Sequence, residues 1–197
     1  MIVEIIRPTQ KYEPHALRLS ETGQCPRYRV QSAMGIPGES KNELAGFAES
    51  GNLWHEWTAR KLEAAGVTFE REKEVDLDGV KGHIDFLMDN GHLVVDIKTT
   101  SQAGLRNAPK NDHVWQVRAY MEALKGEIDG EIMGLLVYIA RDNPIEMAEY
   151  PVHPAEGASV IMREELQDLK QHVANGTLPD IPEGNSPDQF PCMWKTK

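Results

Sequence analysis

Apolar and polar positions alternate along VTFEREKEVDL (67–77) and again on both sides of Asn90-Gly91 in GHIDFLMDNGHLVVDIK (82–98). A period of two is the mark of a half-buried strand, so three strands are expected here, the first heavily charged and suited to a sheet edge. At 133–140, MGLLVYIA is apolar throughout, as a central strand covered on both faces would be. Residues 145–152 can pair with it across Arg141-Asp142-Asn143-Pro144. Helical periodicity takes over in three segments. The first, 42–65, sets Leu44, Phe47, Trp54 and Leu62 to one side, stops at Gly66, and carries Gly46 and Gly51 as a hint of close packing. The second, 113–125, buries Val114, Val117, Met121 and Leu124, with Asp112 as a candidate N-cap and Gly126 past its end. The third, 154–174, turns Val160, Ile161, Leu166 and Leu169 inward. Short helices are expected over 12–20 and over CPRYRVQSAMG, closed by Gly35. The polar stretch 99–112 is expected to be a mobile connection, and the proline-rich tail from 177 to end regular structure.

The Asn90-Gly91 pair does more than mark a turn. Asn-Gly between apolar-rich runs is the strongest short-range hairpin signal, and a two-residue turn there fixes the register. Counting outward sets Met88 opposite Leu93, Phe86 opposite Val95, Asp85 opposite Asp96 and Ile84 opposite Ile97. Alternation then sends Ile84, Phe86, Leu93, Val95 and Ile97 to one face and Asp85, Asp96 and Lys98 to the other. Facing residues of an antiparallel pair have Cβ atoms roughly 4.5 to 5.5 Å apart, and like charges there repel. A hard divalent cation, which prefers oxygen ligands, would turn that cost into a binding site. Asp85, Asp96 and Lys98 are thus the outline of a metal-dependent hydrolytic centre; the alternative is an exposed hairpin whose outer face carries unrelated charges.

Composition narrows the setting. The 197 residues suffice for one domain with a real core, and 40% hydrophobic with 26% charged residues suits a globular protein. The opening MIVEIIRPTQ lacks the long apolar stretch of a secretory signal, and no run of ~18 apolar residues occurs. The expectation is a cytoplasmic protein with no membrane segment. A net charge of −10 argues at first against nucleic acid. Residues 1–120, however, hold 15 basic and 17 acidic side chains, and residues 121–197 hold 6 and 14. The hairpin region is therefore nearly balanced, and bound cations would make it positive. Cys25 and Cys192 are the two cysteines, which is no disulfide framework, and free thiols are expected.

Other side chains read ambiguously by themselves. His55, between Trp54 and Glu56 on the 42–65 helix, suits packing or ligation. Gln116 and Tyr120, four apart on the 113–125 helix, share a face. Arg27 and Arg29 suit a surface or a polyanion.

Taken in order, His55 in a Gly-x-x-x-His helix, Gly82-His83-Ile84-Asp85, Asp96-Ile97-Lys98 and Gln116-Val117-Arg118-Ala119-Tyr120 resemble the RecB-like branch of the PD-(D/E)XK nuclease superfamily. More closely, the chain is similar to compact exonucleases of phages and of CRISPR adaptation. The resemblance implies an α/β restriction-endonuclease-like core, a mixed sheet of about four to five strands flanked by helices, within a single nuclease domain spanning 1–197 whose catalytic core is about 42–152. It implies His55, Asp85, Asp96 and the carbonyl of Ile97 as metal ligands. Lys98 would position or deprotonate the attacking water, and Gln116 and Tyr120 would hold phosphate or the polar network. Glu74 is an additional candidate acid. Cys25-Pro26-Arg27 resembles the start of iron–sulfur variants of the family, which need four cysteines; with two, no iron–sulfur cluster is expected, and Cys25 and Cys192 are expected near each other in ordinary packing.

The implied function is a Mg2+- or Mn2+-dependent deoxyribonuclease, an exonuclease acting on DNA ends in recombination or replication. Its histidine ligand favours Mn2+, and a homo-oligomer or a recombination protein is a possible partner. A structure-specific or restriction-like endonuclease and a non-catalytic DNA-binding accessory protein are the alternatives.

Overall fold

The computed structural model describes residues 15–36 and 42–180, with side chains from residue 51 onward in the second stretch. Its elements run α1 (Pro26–Ala33), α2 (Asn42–Ala64), β1 (Phe69–Leu77), β2 (Val80–Met88), β3 (Leu93–Thr100), α3 (Gln102–Leu105), α4 (Asn111–Leu124), β4 (Met133–Ala140), β5 (Met147–Val152) and α5 (Ala158–Asn175). The strands form one sheet in the order β1-β2-β3-β4-β5. All neighbours are antiparallel except β3 and β4, which are parallel. The α3–α4 crossover makes that parallel pair possible. This is the mixed, helix-flanked five-strand sheet expected of a restriction-endonuclease-like core.

Two apolar clusters sandwich the sheet. On one face Val94, Leu136 and Tyr138 pack with Val117, Tyr120, Met121 and Leu124 of α4 and Met162 and Leu166 of α5. On the other, Phe86, Val95, Ile97 and Ile139 meet Ala59, Trp54 and Leu62 of α2. The continuous apolar run of β4 serves both, as a strand covered on two faces must.

Several local expectations change. The hairpin turn is wider than two residues: Asp89–Gly91 forms a 3-10 turn with φ of 51°, 54° and 99° at Asp89, Asn90 and Gly91. The register holds for Met88 opposite Leu93 and Phe86 opposite Val95 and stops there, so the expected ladder pairs Asp85–Asp96 and Ile84–Ile97 are not formed. Ile84 packs with the α4 cluster and not with Phe86, Val95 and Ile97. The cause is at Glu72, whose φ of 52° breaks the β1–β2 ladder beside Asp85; a left-handed residue inside a strand twists the ladder at that point, so alternation does not carry through it. Val160 and Ile161 of α5 are exposed, while Met162, Leu166 and Leu169 are covered, because this last stripe lies at i, i+4 and i+7. The polar connection contains α3, capped by Ser101 Oγ on the Gly104 N–H at 3.1 Å, and Lys110, not Asp112, stands at the start of α4. A Cβ on Gly51 would touch nothing within 4 Å, so that glycine marks no close approach. In place of a helix over 12–20, the described part has a bridge from Arg18 to Lys81 and a 3-10 turn at Leu19–Glu21.

Cys25, expected as a free thiol in ordinary packing, is disulfide-bonded; the number of cysteines does not tell whether two thiols come close enough to be joined. Cys192, the tail from residue 181, the surroundings of Gly46 and the side chains of Leu44 and Phe47 lie outside what the structure describes. Among the described residues no helix is long and apolar enough to cross a membrane.

Candidate active site

Asp96 and Lys98 lie on the α4 face of β3, as alternation requires, and Gln116 and Tyr120 come down on them from α4 one turn apart. Gln116 is the hub. Its Nε2 donates to Asp96 Oδ1 at 3.0 Å and to Tyr120 Oη at 2.9 Å, and its Oε1 accepts from Lys98 Nζ at 2.9 Å. Lys98 Nζ also reaches Asp96, 3.3 Å from Oδ1 and 2.9 Å from Oδ2. The Oδ2 contact is an ion pair without hydrogen-bond geometry, so this oxygen of a carboxylate only 1% exposed keeps lone pairs uncommitted.

Asp85 sits where β2 and β3 part. Their ladder ends at Phe86 and Val95, and the next β3 donor, Ile97 N–H, goes to the Asp85 carboxylate (Oδ2) at 2.7 Å. From α2, His55 Nε2 approaches the same Oδ2 at 3.5 Å and the Ile97 carbonyl at 3.2 Å. Burial, then the neighbouring Asp96 charge, hold the Asp85 carboxyl well above the usual carboxylate range, against the opposing pull of Lys98. Burial, then Asp96, also push the Tyr120 phenol up, so it stays neutral.

The structure thus brings together His55, Asp85, Asp96, Ile97, Lys98, Gln116 and Tyr120, all seven residues selected from the sequence. It adds Glu72. Ligating atoms of His55, Glu72 and Asp85 lie within 4.8 Å of one another. Glu74, the acid singled out on that strand, instead takes Lys81 Nζ at 2.7 Å on the exposed side. A signal for Glu72 exists in the sequence: Asp78-Gly79 is a second hairpin turn, with φ of 53° and 80°. It sets Leu77 opposite Val80, and counting back from it places Glu72 opposite Asp85.

A carbonyl oxygen, carboxylate oxygens with free lone pairs and one imidazole nitrogen form a donor set that fits a divalent cation. His55 would ligate through Nε2 with its proton on Nδ1, giving up the bond to Ile97 O.

A family model described as the PD-(D/E)XK nuclease superfamily matches residues 24–193. The chain belongs to that superfamily. Solved structures with the same fold include SSO0001, at 21% identity and TM-score 0.56 over 87% of this chain and 86% of that one. A phage-related exonuclease from Haemophilus somnus 129PT aligns at 10% identity and TM-score 0.55, over 83% and 95% of the two chains. The alkaline exonuclease LHK-Exo from Laribacter hongkongensis aligns at 12% and 0.53, over 80% and 91%. At these identities the likeness concerns the fold. None of the curated proteins matches the chain. In this member of the superfamily, two aspartates and a lysine stand on adjacent strands.

Proposed function

We propose that this PD-(D/E)XK protein is a Mg2+- or Mn2+-dependent exonuclease that hydrolyses phosphodiester bonds at DNA ends. The observation that carries the reading is the convergence of Asp85, Asp96 and Lys98 with His55 and Glu72 at the point where β2 and β3 separate. The choice of exonuclease is supported by two neighbours of the same fold whose names describe exonucleases.

Asp85, Asp96, Glu72, His55 and the Ile97 carbonyl would hold the cation. When bound, a divalent cation activates water and offsets the negative charge that builds on the phosphoryl oxygens. Lys98 is held between Asp96 and Gln116, which fixes its amine for positioning or deprotonating the attacking water. Gln116 and Tyr120 keep that lysine and Asp96 in place and offer polar groups to the phosphate. The imidazole ligand favours Mn2+ over Mg2+. DNA ends arising in recombination or replication in the cytoplasm are the substrate class, acted on by one domain with its catalytic core at about 42–152, alone or as a homo-oligomer.

Digestion of end-labelled linear DNA beside closed circular DNA, with Mg2+, Mn2+ or EDTA, tests this for the natural chain and for Lys98→Ala. Metal-dependent loss of linear DNA alone, abolished by the substitution, is expected. Nicking of circles would make the enzyme an endonuclease. If no divalent ion supports cleavage but calcium supports DNA binding, a non-catalytic binding role replaces the proposal.

A further inference from the structure

Beside the acid pair and its lysine lies a histidine that neither the motifs nor the metal constellation use. His113 is in the first turn of α4, three residues ahead of Gln116 and so on the same side of the helix. Below it, β4 presents Tyr138, the register partner of Lys98 on β3. Tyr138 Oη accepts the Lys110 N–H at 3.0 Å and lies 2.6 Å from His113 Nδ1. A hydroxyl has one proton to give, and among the described residues Nδ1 is the acceptor placed to take it. The imidazole proton is therefore on Nε2.

That ring is held firmly. Tyr138 is 1% exposed, meets Tyr150 edge-on with centroids 5.7 Å apart, and lies 5.6 Å from the His113 ring at a 30° tilt. His113 itself is only partly buried, and its Nε2 has no hydrogen-bond partner among the described residues. The charged groups around it are Lys98 and Asp96 from β3 and Asp112 and Lys110 from the start of α4, with the Tyr138 hydroxyl from β4.

We propose that His113 is a phosphate-contacting residue of the nuclease site, held by Tyr138 as the Nε2–H tautomer and donating that hydrogen bond to a non-bridging oxygen of the substrate strand. The inference rests on the proposed nuclease function and deepens it. Burial, then the adjacent Lys98, lower the His113 pKa to about 4, so the ring is neutral where such an enzyme works. A neutral imidazole is a poor acid and a sound donor, so it steadies charge and transfers no proton. Its neighbour Lys98, held for the attacking water, adds a positive charge on the same side, so the pair suits the approach of a phosphate.

The test pairs a spectrum with kinetics. Long-range 1H–15N spectra of the metal-free protein at pH 7 are expected to show His113 as the pure Nε2–H tautomer, and as a mixture in Tyr138→Phe. Single-turnover cleavage of linear DNA is expected to fall about ten- to hundredfold in His113→Leu, which keeps bulk without a donor. His113→Gln, which keeps an N–H near the Nε2 position, is expected to recover most of that rate at a similar melting temperature. A residue that merely fills space would give the reverse ranking or none. An Nδ1–H tautomer or an imidazolium at pH 7, or a His113→Leu rate equal to the parent while Asp96→Asn is inactive, overturns this assignment alone. Full cleavage by Asp96→Asn would overturn the nuclease centre and this assignment with it.

Discussion

The Asp85 carboxylate accepts the backbone N–H of Ile97 at 2.7 Å, across the gap where two strands cease to pair. A side chain has taken the place of a ladder carbonyl. The consequence is local and chemical: the Ile97 carbonyl and the Asp85 carboxylate stand side by side in front of His55, and an acid that sheet geometry would leave at the surface is desolvated next to a second acid.

That desolvation predicts how the metal-free protein responds to pH. The folded Asp85 pKa lies above its ordinary value near 3.8, so the folded state binds the proton more tightly than the unfolded chain. This contribution to stability is complete below the unfolded pKa and is lost as pH rises through the folded one. In EDTA, unfolding curves from pH 4 to 8 are expected to show falling stability for the parent and a flatter profile for Asp85→Asn, whose amide oxygen still accepts the Ile97 N–H. Divalent cation is expected to restore the parent at neutral pH. A variant as pH-sensitive as the parent would contradict the account.

Glu72 is predicted to be part of the cation site because its carboxylate shares a small volume with Asp85 and His55. Replacing it by Gln removes one charge and keeps the shape. Mn2+ affinity measured by electron paramagnetic resonance is expected to fall by at least about tenfold, whereas Glu74→Gln, at the exposed Lys81 pair, is expected to leave it unchanged.

Gln116 binds three partners at once. Truncating it to Ala leaves Asp96, Lys98 and Tyr120 each short of one bond, and an unsatisfied buried polar group costs about 1–3 kcal/mol. Denaturant unfolding is expected to register a loss of that order, with cleavage reduced in parallel. Gln116→Glu sets a second carboxylate against Asp96 and is expected to be worse in metal-free buffer and partly rescued by divalent cation.

Gly82 is predicted to tolerate no side chain. A Cβ there would lie 2.6 Å from Tyr120 Cε1 and 2.9 Å from Leu19 Cβ, so the glycine of the Gly-His-Ile-Asp run is where the Tyr120 ring passes over β2. Gly82→Ala is expected to cost about 1–3 kcal/mol by overpacking and to displace Tyr120 from Gln116. Equal melting temperatures for parent and variant would show that the ring can yield without cost.

Much of this was legible because it is local. Asn90-Gly91 fixes the pairing of Met88 with Leu93 and of Phe86 with Val95 by turn geometry, and alternation puts Asp96 and Lys98 on one face of β3. Four-residue spacing joins Gln116 to Tyr120 on one helix face. Glu72 was within reach of the same reasoning through Asp78-Gly79. Ile84 was not, since its face depends on a left-handed residue in the neighbouring strand. Nor was the outward turn of Val160 and Ile161: a helix with apolar residues at several angles buries whichever stripe the sheet has room for.

The sequence by itself determined the five strands, the long helices, the pairing of Met88 with Leu93 and of Phe86 with Val95, and the presence of two acids and a lysine on adjacent strands, because turns and side-chain periods act over a few residues. Tertiary structure alone decided that His55 from α2 meets Asp85 from β2, that Gln116 bridges Asp96 and Lys98, and that Tyr138 ties down His113. Those contacts join residues 18 to 30 positions apart. Packing helices on both faces of one sheet is what brings them within hydrogen-bond reach.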